Sequence, residues 1–194
     1  MQWDRFFMDL EDQLASEWDA ERASLDVEAE RLRLSQVALR GRLRGLVGLA
    51  AAFDLADDSR LTAAVEGAGA DWVVLRSDGA RAGRLIVPVA ALVSIGMPCS
   101  EPLSAVPAST PSPLADRLTF GFVMRDLARR RVGISVGLAA GRVLTGTIDR
   151  AGGDHLDLAQ HDRGAPRRSA DVSGCRVVPF AAMAWVRVEG WASV

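Results

Sequence analysis

Two histidines and their acidic neighbours are the first residues whose types could do chemistry. Asp154, His155 and Asp157, with His161 and Asp162, are the only place in the 194 residues where imidazoles and carboxylates gather. Such groups hold metals or move protons near neutral pH. All of them fall on one short stretch, whereas a site more often draws its groups from several elements. A histidine on the outer face of a strand is the better account. Thr62, Thr145, Ser94 and Ser135 have no base at a recognisable spacing. There is no nucleophile elbow, no phosphate loop and no Gly-x-Gly-x-x-Gly before a helix. We therefore expect no catalytic residue, no metal and no cofactor, and the chain reads as a non-enzyme. Cys99 and Cys175 are far apart, make no metal-ligand pair and are expected to stay unbridged.

Arginines supply the next group. Arg129, Arg130 and Arg131 form a basic run, and Arg163, Arg167 and Arg168 lie in a later loop. Brought together, they would make an anion patch suited to RNA or DNA phosphate. The simpler reading lets the run complement a helix C-terminus and leaves the loop solvated. All 23 basic residues are arginine, and Lys, Asn and Tyr are absent. The missing residues share AT-rich codons, so this is a GC-rich coding bias and not a choice of ligand. A net charge of -2 and a pI near 5.7 also argue against non-specific nucleic-acid binding. Trp3, Phe6, Phe7 and Leu10 make an apolar cluster on an acidic segment, suited to docking a protein partner or the chain's own fold.

These groups need elements to position them. The chain is 49% hydrophobic and 25% charged, enough for a packed core. No apolar run approaches the roughly 18 residues of a membrane span, and Met1 to Arg5 lacks a secretory n-region. The expected location is cytoplasmic, with no membrane partner. Within an N-terminal helical segment over 1–46, residues 4 to about 46 read as one long helix, capped at Asp4, with no Pro or Gly before Gly41. Trp18, Leu25, Leu32, Leu39 and Leu46 recur every seven residues, a coiled-coil-like stripe. Acidic residues fill its first part and Arg31, Arg33, Arg40, Arg42 and Arg44 its end, an order that favours an antiparallel dimer. Residues 97–112 are rich in Pro, Ser and Ala and read as a linker.

The two sides of that linker match. The stretch from Leu61 to Leu75 aligns with Leu144 to Leu158, and Val87 to Ile95 aligns with Val178 to Val186. Upstream, Leu49, Ala51, Phe53 and Leu55 answer Val132, Ile134, Val136 and Leu138. Each side reads as five short strands. Two meet at Ala-Gly-Ala-Asp or Ala-Gly-Gly-Asp, where glycine is expected to supply a positive φ. Each Val-Pro marks a break before the last strand. Five strands in so few residues are best closed into a small barrel. A helix from about Pro113 to Arg129 precedes the second set, with Ser112 as N-cap and Leu114, Leu118, Phe122, Val123 and Leu127 as its apolar face. The expected fold is α+β, mainly β: a long helix over 1–46, a barrel over 47–96, the linker, and a helix plus barrel over 113–190.

Helix plus five bent strands resembles the Sm-like fold in the Gly-Asp hairpin, the alternating strand after it and the final Val/Ile pair. SH3-like barrels share the strand order, and Val-Pro-x-Ala-Ala-x-Val suits a PRC barrel too. The start Trp3-Asp4-Arg5-Phe6-Phe7, with Gly69-Ala70-Asp71-Trp72 and Val87-Pro88-Val89-Ala90-Ala91, is similar to a family of uncharacterised actinobacterial proteins whose automated labels include Fis-type regulators. That resemblance implies no established activity. The function expected is an interaction or scaffold protein that binds protein partners or itself. The alternative is an Sm-like RNA- or DNA-binding regulator.

Overall fold

The computed structural model describes residues 2–77, 83–97, 117–162, 164 and 172–188, with the side chains of 2–7, 9–12 and 15 outside that description. Two compact units emerge, Met1–Ala38 and Leu39–Val194. The first is α1, Gln2–Ser35. It has neither Pro nor Gly to interrupt it, and one-turn ion pairs such as Arg33–Glu30 at 2.7 Å and Arg31–Glu28 at 3.4 Å line its surface. It closes with short-range bonds from the Gln36 and Val37 N–H groups to the carbonyls of Arg33 and Leu34.

The continuous helix expected over residues 4–46 is thereby corrected. Helix ends at Ser35 and resumes only as α2, Leu39–Gly45, in the second unit. No residue type between Gln36 and Ala38 compels a break. The cause is tertiary: Leu43 is fully buried and Leu46 nearly so, in a core that also holds Phe53 and Val65. The Gly48 N–H then bonds to the Val65 carbonyl at 2.8 Å, from a left-handed φ of 87° that favours glycine. The seven-residue stripe therefore ends on α1 at Leu32.

The second unit is built on one ten-stranded antiparallel sheet. Its strands are β1 Ala50–Leu55, β2 Arg60–Ala68, β3 Trp72–Ser77, β4 Gly83–Pro88, β5 Leu92–Gly96, β6 Gly133–Leu138, β7 Val143–Ala151, β8 His155–Gln160, β9 Gly174–Pro179 and β10 Met183–Val188. Their order across the sheet is β5-β1-β2-β3-β4-β10-β6-β7-β8-β9. The β1–β5 half and the β6–β10 half thus run in the same order, and they join where β10 pairs with β4. Registers agree as well. Phe53 faces Ile95 as Val136 faces Val186, and register shifts fall after Val65 in β2 and after Ile148 in β7. In both halves a proline ends a strand and a 3-10 turn, Val89–Ala91 or Phe180–Ala182, leads into the next.

Alternation decides which side chains go inside. Ala51, Phe53 and Leu55 of β1 are buried with Leu75, Leu85 and Val87. Ile134 and Val136 of β6 are buried with Ile148, Leu156, Leu158 and Val178. Burying each large aliphatic side chain stabilises the fold by about 1.5–3 kcal/mol. The two cores interlock: Val74 and Ile86 join the second, while Ala184 and Trp185 join the first.

A third helix, α3, spans Phe120–Arg130. This corrects the expected start near Pro113. Thr119 is its N-cap, its hydroxyl accepting from the Phe122 N–H, while Ser112 and Leu114 lie outside the described residues. Phe120, Met124 and Leu127 are buried at helical spacing, whereas Phe122, expected inside, is 47% exposed.

Candidate functional site

The hairpin tips answer the expectation of positive-φ glycines differently. Neither Gly69, Gly152 nor Gly153 has a positive φ. What Gly69 and Gly152 provide is space. A Cβ on Gly69 would stand 2.2 Å from the Trp72 indole nitrogen, and one on Gly152 would stand 2.7 Å from His155 Cε1. Each tip closes with the same bond, Gly69 N–H to Trp72 O and Gly152 N–H to His155 O, both 2.8 Å. The ring that follows folds back over its own glycine.

From this tip the histidine and carboxylate cluster divides. His155 Nδ1 lies 2.8 Å from Asp154 Oδ1 on an exposed surface, and that hydrogen bond holds the Asp154 carboxyl below its ordinary range. His161 sits past the far end of β8 and is buried, which the sequence reading missed. Its Nδ1 faces the Asp162 carbonyl at 3.0 Å, so Nδ1 carries the hydrogen, and Nε2 meets the Thr147 hydroxyl at 2.8 Å. The Thr145 hydroxyl donates to the His161 carbonyl at 3.0 Å. These bonds tie the end of β8 to β7 and leave the imidazole satisfied. Ser135 is buried, Thr62 is exposed, and the Ser94 hydroxyl donates to Asp54. Among the described residues, no three His, Cys, Asp or Glu side chains gather as a metal site.

The arginine run occupies the C-terminus of α3. Arg129 and Arg130 both reach Asp126, at 2.5 Å and 2.6 Å. The hydrogen bond from Arg129, with the charges of both arginines, holds the Asp126 carboxyl below its ordinary range. Arg131 adopts a left-handed conformation, φ 52°, and its N–H closes the helix onto the Leu127 and Ala128 carbonyls. All three side chains are exposed. Arg163, Arg167 and Arg168 lie outside the described residues.

At the other end of α3, the Asp71 carboxylate accepts from the Phe120 N–H at 2.6 Å. The Trp72 indole donates to the Leu118 carbonyl at 2.7 Å. The first hairpin tip thereby positions the helix of the second half. At the join, the Trp185 indole donates to Asp57 Oδ2 at 2.8 Å, while the Arg187 guanidinium lies 5.6 Å from the ring centroid.

The remaining exposed surface with a pattern is on α1. Trp18, Leu25 and Leu32, seven residues apart, are 66%, 65% and 62% exposed. Trp3, Phe6, Phe7 and Leu10 fall on the same helix, with side chains outside the described part. No helix among the described residues is long and apolar enough to cross a membrane. Against protein-family models, curated proteins and solved structures alike, nothing matches this chain.

Proposed function

We propose that this is a non-enzymatic interaction protein: two small barrels of the Sm-like or SH3-like kind, joined edge to edge, carrying a helix that docks a protein partner. The observation that carries this reading is the exposed Trp18, Leu25 and Leu32 stripe on α1. A helix alone in water gains little from such side chains, and they gain most when a second surface buries them. The shared strand order of the two halves supports the repeat, and their interlocked cores hold the ten strands together as one unit.

Charge selects the partner. Residues 2–35 hold ten Asp and Glu against four Arg, because the break at residues 36–38 leaves Arg40, Arg42 and Arg44 off the helix. An acidic helix with an apolar stripe takes a basic, apolar-faced partner helix better than its own copy. The same acidity disfavours nucleic acid, and Arg129 and Arg130 are engaged by Asp126. Titration of the full chain against random-sequence RNA and duplex DNA over a range of salt tests the class. We expect no saturable binding at micromolar protein. Tight binding that falls steeply with salt would overturn the reading in favour of the nucleic-acid regulator.

A further inference from the structure

The geometry points to the two outer strands, β5 and β9, as joining surfaces for further copies of this chain: β5 of one copy adds to β9 of the next as β10 adds to β4 within the chain. The inference rests on the two halves being repeats and is independent of what docks on α1.

The internal join is the template. There Val186 pairs with Ile86 and Arg187 with Leu85. Ile86, which reaches across into the second core, is 1% exposed, and Ala184, which reaches into the first, is 0% exposed. Their counterparts on the outer strands are Val177 on β9 and Val93 on β5. Both are 68% exposed. The outer strands thus keep β-branched apolar side chains at the positions that the join buries. Nor do they carry the usual guards of an edge. β5, Leu-Val-Ser-Ile-Gly, has no charge and no proline. β9 has Arg176 and the terminal Pro179, but β4 has Arg84 and Pro88 and is paired all the same. Among the described residues, neither outer strand has a partner beyond β1 or β8.

The same register between copies sets Ile95 opposite Val177, Gly96 opposite Arg176 and Met97 opposite Cys175. One feature of the join is not reproduced. Ser94 stands where β10 has Trp185, and Ala140 where the first turn has Asp57, so the hydrogen bond that locks the halves is absent between copies. The contact is accordingly weaker than the internal join and depends on concentration. Because β5 and β9 are different surfaces, the contact is head to tail, and it repeats until a ring closes or a filament grows.

The test uses the exposed Cys175. In the full chain carrying Met97→Cys and Cys99→Ser, mild oxidation should give a ladder in steps of 20.7 kDa whose interchain links map to residues 97 and 175. Links between two copies of Cys175, or no interchain link, would overturn the proposal. The otherwise native chain should show a weight-average mass that rises with concentration. Val177→Arg, at an exposed site, should hold it near the single-chain mass, and an unchanged mass in that variant counts against the proposal. Leu25→Glu with Leu32→Glu should leave the ladder intact, so failure of the α1 reading and failure of this one are told apart.

Discussion

The indole nitrogen of Trp185 donates a hydrogen bond to the Asp57 carboxylate at 2.8 Å, joining the last strand of the sheet to its first turn across 128 residues. Trp185 is 4% exposed, so its N–H has little access to water. Replacing Asp57 by Ala leaves that donor unsatisfied and should lower stability by about 1–3 kcal/mol. Asp57 also accepts from Ser59, so Trp185→Phe, which removes the indole donor together with part of the buried ring but leaves the Asp57–Ser59 bonds in place, is the companion variant. Urea unfolding checks this. Asp57→Asn, which keeps an acceptor, should fall between wild type and Asp57→Ala.

Glycines read as turn residues act here by close approach, and adjacent positions should behave differently. Gly152→Ala drives a Cβ into His155, whereas a Cβ on Gly153 meets nothing within 4 Å. Gly137→Ala would place a Cβ 2.2 Å from the Trp185 ring. We expect Gly137→Ala to cost about 1–3 kcal/mol, the usual cost of overpacking. Gly152→Ala should cost less, because the half-buried histidine at the hairpin tip has solvent to swing into, and Gly153→Ala should be near neutral. Thermal melts of the three variants give the order.

Asp71 should matter to a helix far from it in sequence. Its carboxylate accepts the Phe120 N–H at 2.6 Å, alongside the Thr119 cap. Asp71→Ala should destabilise the protein by about 0.5–2 kcal/mol, as loss of an N-cap does. Hydrogen exchange should rise first in the opening turn of α3. Protection lost equally everywhere would mean that Asp71 does not act through the helix.

Acid should remove the contribution of Asp126. Its carboxyl is held below the ordinary value by the hydrogen bond from Arg129 and the neighbouring arginine charges. A depressed folded value makes the contribution complete above the unfolded pKa and lost as pH falls through the folded one. Asp126→Asn should therefore be less stable than wild type at neutral pH, and the two curves should converge in acid. The difference is small, because these groups lie at the surface.

Period and punctuation made much of the sheet readable. Ala51, Phe53 and Leu55 alternate, and Pro88 and Pro179 end their strands, so strand existence followed from local chemistry. The break after Ser35 was not readable, because burial of Leu43 and Leu46 sets it and no residue type between 36 and 38 does. Nor was the start of α3, which depends on Asp71 from a distant hairpin. Of the site residues, Arg129 to Arg131 lie at a helix C-terminus, where a basic run complements the dipole. Their pairing with Asp126 shared a helical spacing that could have been seen. Burial of His161 depends on Thr147 across the β7–β8 pair and follows from no local pattern.

Docking on α1 is measured most directly with a labelled probe peptide of leucine and lysine heptads, an apolar basic helix, titrated with the full chain and followed by anisotropy. We expect saturable binding that weakens as salt rises. Leu25→Glu with Leu32→Glu, both at exposed positions, should weaken it by about tenfold or more. Equal binding by wild type and that double variant, or no binding by either, would contradict the assignment of the stripe as the docking face.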